Sequence, residues 1–206
     1  MTKVRSRRAN VLQQIQESSA LSGALADQAS IIIRIADEMV RAFKNGNKVL
    51  LFGNGGSAAD AEHIACELSG KFTLYREPLP AIALTTNTSS LTAIANDFGY
   101  EEVFARPLRG LVAEGDVVIG LSTSGQSPNV VRAIEEGNRR GAVTVAFTGA
   151  SGALRETAQY VLSIPSSNTP RIQEAHMVAG HIICCLVETS LFQAKQPLKR
   201  RTAPTP

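Results

Sequence analysis

Cysteine is scarce in this 206-residue chain: there are three, Cys66, Cys184 and Cys185, and two are adjacent. An odd count without a spacing pattern argues against a disulfide framework. Their placement in apolar helical patterns predicts small buried residues in a reducing compartment. Long apolar runs are missing too. Gln13, Gln14, Gln16 and Glu17 interrupt the stretch where the apolar core of a leader would lie, and no run approaches the ~20 residues of a membrane span. A cytoplasmic protein with no membrane partner is the expectation. Aromatic residues make up 5% of the chain and nowhere alternate with basic ones as in a surface that stacks bases. The net charge is +3, and much of the excess lies in two terminal clusters: Arg5, Arg7 and Arg8, and Lys199, Arg200 and Arg201. Such short clusters read as solvated ends, so nucleic acid is not an expected partner. The glycine-rich segments lack both the lysine of a Walker loop and the G-x-G-x-x-G spacing, which disfavours nucleotides.

What is present is enough for one domain with a sizeable core. We assign residues 1–195 to it, with N-terminal helices over about 1–46, and 196–206 to a flexible, basic, proline-containing tail. Residues 4–18 and 24–44 have helix-period apolar positions, which predicts a helical hairpin ending at Asn45-Gly46-Asn47. The period then changes. Lys48–Phe52 is a short, nearly all-apolar run, and four more follow at Ala81–Leu84, Val117–Leu121, Val143–Phe147 and Tyr160–Ile164. Helical patterns at 58–70, 88–96, 128–140 and 172–192 separate most of them. Strands alternating with helices predict an α/β fold, a three-layer αβα sandwich around a five-stranded parallel sheet.

Two loops in this pattern resemble each other. Gly53–Ser57 and Ser122–Ser127 each follow an apolar strand, are rich in glycine and hydroxyl groups, and lead into a helix. In a doubly wound sheet such loops face one crevice at the carboxyl ends of the strands. Ser122, Thr123, Ser124 and Ser127 supply four hydroxyls before Pro128, a residue favoured in the first helical turn. Free N–H groups and the dipole at that helix start attract an anion, so the loop suits a phosphate monoester on a small substrate. Gly125 is expected to let the backbone approach it. His63 and Glu67, four apart, share a helix face and should stand near the same crevice. Arg171, Gln173, His176 and His181 lie within the apolar pattern of the last helix, where histidines are as readily core residues as functional ones.

Taken together, four stretches resemble the phosphoheptose isomerases of the SIS (sugar isomerase) superfamily. They are GNGGSAADAEH at Gly53–His63 with Glu67, Ser69, Gly70 and Lys71 after it, NDFG at Asn96–Gly99, LSTSGQS at Leu121–Ser127, and RIQEAHMVAGH at Arg171–His181. They occur in the family's order over residues ~35–190. The resemblance implies the SIS fold and a homotetramer with active sites at subunit interfaces. It also implies a sugar-phosphate substrate: conversion of sedoheptulose 7-phosphate to D-glycero-D-manno-heptose 7-phosphate in bacterial heptose synthesis for lipopolysaccharide or capsule. It marks Glu67 and His181 as catalytic, and Asn54, Gly55, Gly56, Ser57, Asp97, Ser122, Thr123, Ser124, Ser127 and Gln173 as substrate-binding. In zinc-containing members the ligands match His63, Glu67, Gln173 and His181. Lys71 departs from the pattern, standing where some members have arginine, and loses the bidentate fork.

Aldose–ketose exchange moves one proton between C1 and C2 and another between their oxygens, through a cis-enediol. Glu67 is assigned to carbon and His181 to oxygen, as a histidine side chain suits proton exchange near neutrality. On a straight helix Gln173 and His181 stand ~12 Å apart along the axis. If both hold one metal ion, they must come from different subunits, or Gln173 must precede the regular helix. Two other readings fit the same fold: a non-catalytic SIS protein that binds the replication initiator, and a phosphosugar-sensing module. The intact set of His63, Glu67, Gln173 and His181 argues against the first, and the chain length against the second.

Overall fold

A computed structural model describes residues 2–192, with side chains from Ser6 onward. The tail expected at 196–206 lies outside the described residues. The two N-terminal helices are α1 (Thr2–Ala24) and α2 (Ala29–Lys44), joined without a loop by a 3-10 stretch at Leu25–Gln28. Gly46, with φ +79°, turns the chain out of α2, as the Asn-Gly-Asn segment predicts.

Each of the five apolar runs forms a strand: β1 (Val49–Gly53), β2 (Ala81–Ala83), β3 (Val117–Ser122), β4 (Val143–Thr148) and β5 (Tyr160–Ser163). All pairings are parallel, in the order β2-β1-β3-β4-β5. Parallel neighbours need crossovers, and helices supply them. These are α3 (Gly56–Ser69), α4 (Thr88–Phe98), α5 (Ala105–Leu111), α6 (Pro128–Arg139) and α7 (Leu154–Thr157), before the long closing helix α8 (Thr169–Phe192). The short helices α5 and α7 were not expected. Seven residues containing Pro107 and Gly110, and four residues, are too short to show a helical period.

β1 and β3 are buried at every position, which is why their sequences do not alternate. Successive side chains still point to opposite faces. Leu51 joins Ile35 and Met39 of α2, Ile64 and Leu68 of α3 and Ile183 of α8 in one core. Leu50 and Phe52 join Phe104, Leu108, Val130 and Ile134 in the other. The sheet is therefore the middle of three layers, as expected.

Two expectations need correcting. Cys184 is buried, but Cys66 and Cys185 are exposed, because they fall on the sides of α3 and α8 turned away from the core. And α8, at 24 residues, has the length and apolar composition of a membrane span. It is the one such helix among the described residues. Its Ile172, Ala175, Ala179, Ile183 and Val187 are packed inside the domain, as in a core helix.

Candidate active site

In a sheet of order 2-1-3-4-5 the winding reverses between β1 and β3, and the crevice at that switch point is where ligands bind. Gly53 pairs with Leu121, so β1 and β3 end level and their two loops emerge together. A cavity of about 250 Å³ lies there, lined by Asn54, Gly56, Ser57, Ser122, Thr123, Ser127, Thr169 and Gln173. A neighbouring one of about 280 Å³ is lined by Thr123, Ser124, Gln126, Ser151 and Ser167 among others. The Ser122 hydroxyl lies 3.0 Å from that of Ser127 and 3.3 Å from that of Ser124. Ser127 stands just before α6 and Pro128 opens it, so the hydroxyls gather at the positive end of that helix.

The Asn54 side chain is held by two residues that the sequence did not single out. Its carboxamide pairs reciprocally with that of Asn129 at 2.9 Å in both directions, and Tyr100 Oη donates to Asn54 Oδ1 at 3.1 Å. Asn129 is only 2% exposed, so the pair staples the first loop to the start of α6. With its oxygen used twice, Asn54 has one N–H left to offer a ligand. No spacing rule marks a polar residue at the second position of a helix as buried.

The other predicted residues gather elsewhere. α3 and α8 run side by side in the same direction: Gly56 meets Gln173, His63 meets His181, and Ile64 meets Gly180. His63 Nε2 lies 3.1 Å from His181 Nε2 and 3.3 Å from Glu67 Oε1. Ligating atoms of His63, Glu67 and His181 all lie within 4.8 Å of one another. His63 is 49% and Glu67 23% exposed, so the cluster opens to the surface. The rings of His63 and His181 meet edge to face, and Phe72 stacks on His181 with centroids 5.7 Å apart. Two imidazole nitrogens and a carboxylate oxygen aimed at one point form a donor set that suits zinc.

The expectation that His63 and Glu67 stand near the loop crevice is not met within one chain. His63 lies seven positions and Glu67 eleven positions after Gly56, and at 1.5 Å per residue α3 carries them ~10 and ~16 Å along its axis from the loops. Neither residue lines the two cavities there. Gln173 stays with the loops: a Cβ on Gly56 would strike its carboxamide. Gln173 lies inside α8, not before it, which removes one of the two ways it could share a metal ion with His181.

The remaining candidates are spread out. Asp97 is exposed near the end of α4, where Oδ1 accepts from Asn96, and lines none of the cavities described. Gly55 (φ +56°) is exposed at the entry to α3. Gly125 (φ +66°) is buried, and a Cβ there would strike Ser151 and Thr148, so its backbone approaches a neighbouring loop and not a ligand. Arg171 donates to the Gln14 carbonyl of α1. Lys71 is exposed. Asp60, one turn before His63, has Oδ2 buried with no hydrogen-bond partner among the described residues. Burial pushes its carboxyl up to about 6, against the opposing influence of His63. A further cavity of about 390 Å³ between α1 and the start of α8 is lined by Arg171 but by none of the residues expected to be catalytic, substrate-binding or metal-binding.

A parallel α/β sandwich with an anion-binding loop at its switch point and a histidine–carboxylate cluster on its helical layer defines an α/β protein built for small anionic ligands. The comparisons are more specific. A family model described as "SIS domain" matches residues 14–149. The phosphoheptose isomerase of Burkholderia pseudomallei is 50% identical over 175 residues, covering 84% of this chain and 89% of that one. That of Aquifex aeolicus is 53% identical over 161 residues, 78% of this chain and 84% of its own. The solved structure of a phosphoheptose isomerase from Francisella tularensis superposes with a TM-score of 0.83 at 34% identity, covering 92% of this chain and all of that one. The chain belongs to the SIS-domain family, among its phosphoheptose isomerases.

Proposed function

We propose that this protein is an aldose–ketose isomerase that converts sedoheptulose 7-phosphate to D-glycero-D-manno-heptose 7-phosphate for bacterial heptose synthesis. The observation that carries the reading is the convergence of Glu67 and His181 from two different helices, together with a hydroxyl loop at the start of α6. Ser122, Thr123, Ser124 and Ser127 hold the phosphate, whose binding orients the distant reacting carbons. Asn54 donates its free N–H to a sugar oxygen. Glu67 moves the proton between C1 and C2, and His181 moves the one between their oxygens. His63, Glu67 and His181 would hold a zinc ion, which when bound polarises the carbonyl and stabilises negative charge on its oxygen.

The reading extends to more than one copy of the chain. Within a subunit, the histidine–carboxylate cluster lies ~10–16 Å along α3 from the phosphate loop, which supports pairing the loop of one copy with the cluster of another. Val178 and Ile182, which flank His181 on α8, are exposed, as are Val11, Leu12 and Ile15 on α1 and Ile33 on α2. Apolar surface of this extent supports a homotetramer with active sites at its interfaces, and Gln173 joins the metal ligands from a neighbouring subunit. We place this assembly in the cytoplasm.

The test is turnover of sedoheptulose 7-phosphate by the purified protein, with Glu67→Gln and His181→Ala alongside. The parent is expected to isomerise the sugar, each variant to lose at least ~100-fold in kcat, and a chelated sample to recover with zinc. A folded protein that binds the sugar phosphate without turning it over would replace the enzyme reading with a sensing or interaction role.

A further inference from the structure

Below the cluster, α3 and α8 are joined by a buried ion pair with no part in the site as described so far. Glu188 lies seven residues after His181, two turns further along the same face of α8. The Arg76 and Glu188 side chains are 1% and 2% exposed. Glu188 Oε1 accepts from Arg76 Nε at 2.8 Å and from the Phe72 backbone N–H at 3.3 Å. Glu188 Oε2 accepts from the Thr73 hydroxyl at 2.6 Å and from the N–H groups of Thr73 and Leu74, both at 2.9 Å. Arg76 also reaches the end of α3, with Nη2 donating to the Glu67 carbonyl at 2.8 Å and Nη1 to the Leu68 carbonyl at 2.9 Å, and Nη1 donates as well to the adjacent Glu77 carbonyl at 2.9 Å. One ion pair thus ties three things together: the backbone of Glu67, the helix that carries His181, and the segment whose Phe72 ring stacks on His181.

Burial alone would raise the Glu188 carboxyl, but the hydrogen bonds from Thr73, Leu74 and Arg76 outweigh it and hold it at about 2. The pair is charged whenever the protein is folded near neutrality. Stability is a weak reason to keep such a pair, since apolar residues of the same shape often serve as well. The geometric reason is stronger. Only a planar guanidinium can reach a carboxylate and two helix-end carbonyls at once, whereas a lysine presents a single point of charge.

We propose that Arg76 and Glu188 are positioning residues for the isomerisation: they fix the register of α3 against α8 and seat Phe72 on His181. In this way they set the spacing between Glu67 and His181. The inference rests on the reading of those two residues as the reacting pair.

Lys48 and Asp116 provide the control. They form a second ion pair, at 2.6 Å, with Asp116 1% exposed, at the amino ends of β1 and β3, the opposite edge of the sheet from the loops. Arg76→Lys, Glu188→Gln and Lys48→Met are compared by thermal unfolding and by kcat and KM for sedoheptulose 7-phosphate. In the first two variants kcat should fall at least ~10-fold with KM within about threefold of the parent, because the phosphate loop is untouched. Lys48→Met should lower Tm and leave kcat at the parental value. If Arg76→Lys follows Lys48→Met, with Tm lowered and kcat intact, the proposal is overturned. Should the ion-pair variants fail to fold, Phe72→Leu keeps the pair and removes the ring from His181; parental kcat there also overturns it. Glu67→Gln and His181→Ala run in parallel separate the two readings. Parental rates in both sink the reacting-pair assignment, while a kcat loss in Arg76→Lys would still tie the ion pair to turnover through other groups on α3 and α8.

Discussion

His176 sits on the buried side of α8, its ring 5.6 Å from that of Phe147 and its Nε2 donating to the Thr148 carbonyl at 3.2 Å. Its Nδ1 is buried without a hydrogen-bond partner among the described residues. Burial pulls its pKa from the ordinary 6.5 down to about 4, only partly opposed by the Thr148 bond. The unfolded chain therefore binds this proton more tightly than the folded one. Stability from this residue is complete above about pH 6.5 and is lost as pH falls towards 4, by ~3 kcal/mol at full extent. Urea unfolding of the parent and of His176→Phe across this range should show a shallower pH slope in the variant; equal slopes would refute the buried-neutral account. Five residues on, His181 faces outward into the cluster. Residue type alone could not separate the two, because both lie in the same apolar helical pattern.

At the scale of elements, the close crossing of α3 and α8 depends on Gly180. A Cβ there would come within 2.8 Å of Ile64 Cδ1, in a part of the core where Ile64 is nearly fully buried. Gly180→Ala is expected to push the helices apart next to His63 and His181. The cost should be ~1–3 kcal/mol of stability from overpacking, with a clear loss of kcat. Thermal unfolding and steady-state kinetics check it, and a stable variant with parental kcat would show that the crossing tolerates a methyl group. The strands and long helices were legible in the sequence because burial on both faces leaves unbroken apolar runs and amphipathic packing leaves a 3.6-residue period. α5 and α7 were not, since one or two helical turns leave no period to read.

For the whole molecule, the separation between the phosphate loop and the histidine cluster is the governing fact. If copies of the chain complete each other's sites, assembly and activity must fail together. Ile15→Asp places a charge on the exposed apolar side of α1, 59% exposed in the single chain. It should raise the concentration needed for assembly by at least ~10-fold and lower specific activity in proportion. Sedimentation velocity and activity across a dilution series measure both. A parent that is monomeric and fully active would remove the shared-site model.

The sequence by itself determined the parallel α/β class, the hydroxyl loop before Pro128, and the candidates His63, Glu67, Gln173 and His181. Each of these is written in local spacing or in residue chemistry close along the chain. Only the tertiary structure decided which of them meet. His181 joins His63 and Glu67 from 118 residues away, Gln173 stays with the loops, and His176 goes to the core. It also decided that Asn129 and Tyr100 hold Asn54, and that Glu188 reaches back 112 residues to Arg76. The physical reason is that a helix sorts its residues by face at 100° per step. Which face is buried, and against what, depends on how α3 and α8 pack on a shared sheet.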